Sequence, residues 1–168
     1  TVWNGSNKVS ESDPDWTKNS VAGVADSNHT AGQYHFVHLD QQVDTEYEVD
    51  TEGSYNGQLV RTVTRDTTFA SPNDWDYTQG APRRETVTVT PASGTTLTTT
   101  TDRTFATLTT AWCLGLPSAV AVNKSDGNSN STRNTAYTYD ATTCRPDTET
   151  IGTTAAKQLK TTYGYDTA

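Results

Sequence analysis

Apolar and polar residues alternate with period two along most of this chain, and helical spacing is almost absent. Tyr34-His35-Phe36-Val37-His38-Leu39-Asp40 predicts the first strand. Residues 43–49 and 58–66 predict a hairpin across 50–57, and residues 84–90 and 96–107 a second over Pro91-Ala92-Ser93-Gly94. A third hairpin, 118–123 with 133–139, flanks the polar loop Ser125-Asp126-Gly127-Asn128-Ser129-Asn130, and a last one joins 147–151 to 159–165. The cluster Ser71-Pro72-Asn73-Asp74-Trp75-Asp76 reads as a turn between strands. Residues 1–33, rich in Asn and Ser around Asp13-Pro14-Asp15, read as loop, and only Thr154 to Lys160 hints weakly at a helix. The expected fold is all-β, made of consecutive antiparallel hairpins.

The alternation also repeats on a longer scale. Tyr137-Thr138-Tyr139-Asp140 returns as Tyr163-Gly164-Tyr165-Asp166, 26 residues later, and Tyr47-Glu48-Val49-Asp50 is a degenerate copy. Two tyrosines at i and i+2 share one face of a strand, and the following Asp suits a turn. A Gly or Pro turn followed by an alternating β-branched strand occurs four times, marked by Leu59, Pro82, Pro117 and Pro146. Their separations of 23, 35 and 29 residues make the period loose. The 26-residue echo of Tyr-x-Tyr-Asp is nevertheless what stacked copies of one unit produce.

The cadence Ala111-Trp112-Cys113-Leu114-Gly115-Leu116-Pro117, Tyr137-Thr138-Tyr139-Asp140, Cys144-Arg145-Pro146 resembles the YD, or RHS, repeat of large bacterial surface and toxin proteins. The resemblance covers residues 47–168 and leaves 1–46 as an irregular lead-in with the first strand. It departs where the usual Gly-Arg-Leu after the Asp is replaced by Cys144-Arg145-Pro146. What the resemblance implies is a segment of a coiled β-ribbon shell, non-enzymatic, exported or on the bacterial surface. Its partners would be flanking repeats of a longer chain and an enclosed toxin domain. Tyr137, Tyr139, Tyr163, Tyr165 and Trp112 would be repeat-core aromatics, and Asp140 and Asp166 repeat turns.

Composition bears on stability. Thr makes up about a fifth of the residues, which favours pleated, half-buried surface. Leu, Ile, Val and Phe together make only about a seventh, and the net charge is −8. Such a chain has a thin apolar side that leans on its four Trp and eight Tyr. Neighbouring repeats would be needed to cover it, so the chain is expected to be a fragment of something longer. A sequence pI of about 4.7 with scattered basic residues argues against nucleic acid, and no apolar run approaches a membrane span.

Cys113 and Cys144 precede Pro117 and Pro146 in consecutive copies. Equivalent positions of adjacent repeats lie close together, so a disulfide is expected, contributing roughly 3 kcal/mol and implying an oxidising compartment. Two buried thiols are the alternative.

Candidate chemistry is sparse. His29, His35, His38 and Asp40 are close in sequence, but His35 and His38 fall on opposite strand faces and read as ordinary surface or interface histidines. Asp44, Glu46, Glu48, Asp50 and Glu52 alternate on one face and read as a solvated acidic strip. Nucleophile elbows, phosphate loops and dinucleotide fingerprints are missing, and no cofactor or metal is expected. The alternative function is an extracellular carbohydrate-binding or adhesive module with Trp75 and Trp16 as ligand contacts. A self-associating fibre or matrix protein is a further one.

Overall fold

The computed structural model describes residues 1–5, 7–20, 35–49, 57–67, 75–76, 79–108, 113–152 and 157–166. Its strands are β1 (Val2–Asn4), β2 (Asn7–Ser20), β3 (His35–Tyr47), β4 (Leu59–Asp66), β5 (Trp75–Asp76), β6 (Ala81–Pro82), β7 (Arg84–Pro91), β8 (Leu97–Phe105), β9 (Pro117–Ser125), β10 (Asn130–Tyr139), β11 (Pro146–Ile151) and β12 (Leu159–Thr162). Ten of them form one sheet in chain order, interrupted only by the two-stranded β5–β6 ribbon. Strands that are neighbours in sequence are neighbours in space, so the all-β fold of sequential antiparallel strands stands as expected.

Two compact units divide the chain, one of Thr1–Ser71 with Thr86–Thr98, the other of Pro72–Glu85 with Thr99–Ala168. In the first unit β2 lies antiparallel to β3 over eleven paired positions, from Ser10↔Glu46 to Ser20↔His35. This corrects the loop reading of residues 1–33 for its first part. The stretch is too polar to announce itself as a strand, and the ladder with β3 overrides its weak propensity. Pro14 is accommodated next to a bulge between Asp15 and Trp16, where the regular ladder is already broken. Residues 21–34 lie outside the described residues.

A second difference lies in β3, which runs unbroken through the two separately expected strands at 34–40 and 43–49. On it, His38 and Asp40 are two residues apart and therefore share a face. They are the buried polar residues of the described chain, 7% and 6% exposed, with His38 Nδ1 2.9 Å from an Asp40 carboxylate oxygen. The surface reading of His38 is thus corrected: the ring is buried beside the Asp40 carboxylate, close enough for an ion pair but without the alignment of a hydrogen bond between the two nearest atoms. His29 and the side chain of His35 lie outside the described residues.

The acidic strip is tied down by β4. Arg61 stands opposite Glu46 and makes two hydrogen bonds to its carboxylate, at 2.7 and 2.8 Å. Arg65 pairs with Asp44, which also accepts from Gln42 at 2.8 Å. Gln42 and Ser12 hold the Asp44 carboxyl below its ordinary range first, with Arg65 adding to them, and Arg61 does the same for Glu46. Asp44 and Glu46 are thus held in pairs with β4, while exposed Glu48 accepts only from the adjacent Val49 N–H at 3.1 Å among the described contacts, and Asp50 and Glu52 lie outside the described residues.

Little of either unit is deeply buried. Cys113, 5% exposed, is the buried hydrophobic residue among those described, and most sheet positions are only half-covered. The thin apolar side expected from composition is what the strands show.

Candidate functional site

Two of the four Leu or Pro marks of the sequence, Leu59 and Pro146, occupy equivalent places in the backbone. Tyr47 pairs with Leu59 and Tyr139 with Pro146, and in both ladders the register shifts immediately afterwards. Val60 and Asp147 are the extra residues that these bulges create. Each sends its carbonyl onward to the next strand: Val60 O accepts from Ala92 N at 2.9 Å and Asp147 O from Tyr163 N at 2.9 Å. Arg83, the residue after Pro82, does the same with Arg103 N at 2.6 Å.

A second bond recurs at the end of the preceding strand. The N–H after the terminal aromatic donates to the carbonyl just before the Leu or Pro mark. The pairs are Glu48 N to Gln58 O at 2.8 Å, Ala106 N to Leu116 O at 2.9 Å, and Asp140 N to Arg145 O at 2.9 Å. Tyr47, Phe105 and Tyr139 are thereby equivalent, which corrects the degenerate copy Tyr47-Glu48-Val49-Asp50: Tyr47 matches the second tyrosine of Tyr137-Thr138-Tyr139-Asp140, not the first.

Tyrosine hydroxyls complete the scheme. Tyr139 Oη donates to Pro117 O at 2.8 Å, and Tyr165 Oη to Pro146 O at 2.8 Å. In each case the last tyrosine of a hairpin closes on the proline that opens it. Phe105 occupies the same place without a hydroxyl. These bonds escape a sequence reading that treats the tyrosines as packing rings alone; their signal is the pairing of every Tyr-x-Tyr-Asp with an upstream Pro.

The first tyrosine of each motif serves a different partner. Tyr163 Oη donates to Glu149 at 3.1 Å, and Tyr137 stands opposite Glu149 in the ladder. Burial first, then the Glu149 charge, raises the Tyr137 phenol above its ordinary pKa, whereas for Tyr163 the Glu149 hydrogen bond comes first. Burial also raises Tyr139, whose ring stacks on Tyr137 with centroids 6.5 Å apart.

Asp140 ends its repeat as a turn cap. One carboxylate oxygen accepts from Thr142 N at 3.0 Å, Thr143 N at 2.7 Å and Thr143 Oγ1 at 2.9 Å. The N–H and hydroxyl of Thr143, then the N–H of Thr142, hold its pKa below the ordinary value. Cys144 closes the turn with φ of 60°, a left-handed conformation unusual for a side-chain-bearing residue, and is disulfide-bonded to Cys113. Asp166 is exposed after Tyr165, and residues 167–168, which would continue its turn, lie outside the described residues.

Asp126 builds a similar cap in the β9–β10 hairpin, accepting from Asn128 N at 2.9 Å and Ser129 N at 2.6 Å. That makes the polar loop a hairpin turn. Trp16 is 60% exposed on β2, while Trp112 and the side chain of Trp75 lie outside the described residues. Among the described residues no cluster of three or more His, Cys, Asp or Glu could hold a metal ion, and no helix is long and apolar enough to cross a membrane. Comparison with known proteins finds no family model, no curated protein and no solved structure that matches this chain. The arrangement is that of a structural all-β segment with repeat-like strand architecture.

Proposed function

We propose that this segment is wall: part of a longer RHS/YD-type β ribbon, exported by a bacterium, that encloses or presents a toxin or other payload. The observation that carries the reading is the recurring strand closure, in which bulge, carbonyl relay and tyrosine–proline bond reappear although the intervening sequence changes. A unit conserved in its backbone bonds and poor in buried apolar area draws its stability from neighbours of the same kind. The wall needs no catalytic group, and its work is mechanical.

The test is the intact mass of the natively produced polypeptide carrying this segment. A mass far above 18.2 kDa, with a compact domain released on limited proteolysis, is the expected result. A natural product of that mass alone overturns the wall reading. The exposed Trp16 keeps the adhesive module as a second reading, and loss of glycan retention in Trp16→Ala would favour it.

A further inference from the structure

A groove of about 620 Å³ crosses one face of β9, β10 and β11, with Val120, Val122, Lys124, Arg133, Tyr137 and Glu149 among its walls. The register explains this grouping. Lys124 stands opposite Ser131, Val122 opposite Arg133, and Glu149 opposite Tyr137, so their side chains rise on one face. The reverse face is occupied differently, by the Asn123–Thr132 hydrogen bond at 3.0 Å.

Two cations in this groove stand without counterions. Arg61, Arg65, Arg83, Arg84 and Arg103 each pair with a carboxylate, and Arg145 lies over the Tyr165 ring, 5.1 Å from its centroid. Arg133 and Lys124 are exposed, and no ion pair joins either to a carboxylate among the described residues. Glu149, the groove's own carboxylate, is engaged by the Tyr163 phenol. In a chain of net charge −8, an unpaired basic pair is a local reversal of sign that attracts anions.

We propose that this groove binds an acidic oligosaccharide, with carboxylates on Arg133 and Lys124 and a sugar ring against Tyr137. At about 3.3 Å per residue, Arg133 and Tyr137 lie about 13 Å apart along β10, a span for an extended oligomer rather than a small ion. The guanidinium fork suits a carboxylate in two parallel hydrogen bonds. Ser131 and Thr135, on the same face, supply hydroxyls of the kind that meet sugar hydroxyls. A peptide is the poorer occupant, because β9, β10 and β11 are interior strands and have no free edge on which a peptide strand could pair. This inference concerns a surface of the segment and does not depend on the wall reading.

The test is calorimetric titration of the whole chain with tetragalacturonate at low salt. The expected result is saturable binding that weakens about tenfold in Lys124→Glu/Arg133→Glu and falls in about 0.5 M salt. Both side chains are exposed, so the double variant should keep its circular dichroism and unfolding midpoint. An absence of binding, or equal binding by the double variant, overturns the proposal. So does equal binding of uncharged maltotetraose, which would remove the charge pair from the recognition. Equally tight tetraglutamate would make the groove an acidic-peptide site and overturn the saccharide. A matching loss in Lys157→Glu/Lys160→Glu would reduce the effect to general charge attraction and overturn the site.

Discussion

The phenol of Tyr139 donates to the carbonyl oxygen of Pro117 at 2.8 Å, across the mouth of the hairpin they bound. Tyr165 makes the same bond to Pro146. Proline has no N–H to anchor its end of a strand, so the hydroxyl fixes the proline by its acceptor instead. The bond ties the end of one strand to the start of the strand before it, which is the relation a repeat must reproduce.

Removing that hydroxyl should be felt. Tyr139→Phe leaves a half-covered carbonyl without its donor and should cost about 1 kcal/mol, read as a shift of the urea midpoint. Tyr165→Phe should cost less, because the ring is 47% exposed and water can replace the hydroxyl. Tyr139→Ala, which also removes the packed ring, should cost about 2 kcal/mol or more. Unmoved unfolding in all three variants would detach these tyrosines from the repeat.

The Asp140 turn should be acid-sensitive. Its carboxyl pKa is held down by the donors of Thr143 and Thr142 in the folded chain. A depressed folded value means the stabilisation is fully present above the unfolded Asp pKa and is lost as pH falls through the folded one. Wild type should therefore lose stability on acidification below the ordinary Asp range. Asp140→Ala should be less stable at neutral pH and show a flatter acid limb, as measured by thermal unfolding against pH.

The Cys113–Cys144 disulfide closes a separation of 31 residues. Its reduction should cost roughly 3 kcal/mol by freeing the unfolded chain. Paired measurements with and without reductant check this. The Cys113→Ser/Cys144→Ser variant should match the reduced protein and show no further response to reductant.

Gly152 is a position where only glycine fits. Its φ is 123°, and an added Cβ would lie 2.2 Å from the Lys157 carbonyl oxygen. Gly152→Ala should destabilise by about 2 kcal/mol, whereas Gly127→Ala, strained in φ but in open space, should cost less. Denaturation of the two variants side by side separates crowding from backbone strain.

β12 presents an exposed row that includes Leu159 at 66% exposure. An uncovered strand of this kind pairs with other chains. The isolated segment should therefore associate as concentration rises, and Leu159→Lys should suppress that association without lowering the unfolding midpoint. Sedimentation velocity over a concentration series decides it.

Most of the strand order was legible from alternation alone, because a half-buried strand must place apolar groups on every second residue. β4, β7, β8, β9, β10 and β11 lie close to their expected bounds for that reason. β2 was not legible, since its side chains are mostly polar and its definition comes from the β3 backbone beside it. The burial of His38 with Asp40 was equally hidden: spacing places the two on one face but says nothing of what covers that face.

For the candidate site the division falls in the same place. Sequence by itself determined the period-two pattern, the recurrence of tyrosine, Asp and proline, and the nearness of Cys113 to Cys144, because these follow from local stereochemistry and repetition. Tertiary structure decided which carbonyl each tyrosine reaches, that Phe105 is equivalent to Tyr139, and which cations remain unpaired. Those outcomes depend on strand register, and register emerges only when distant residues meet across a ladder.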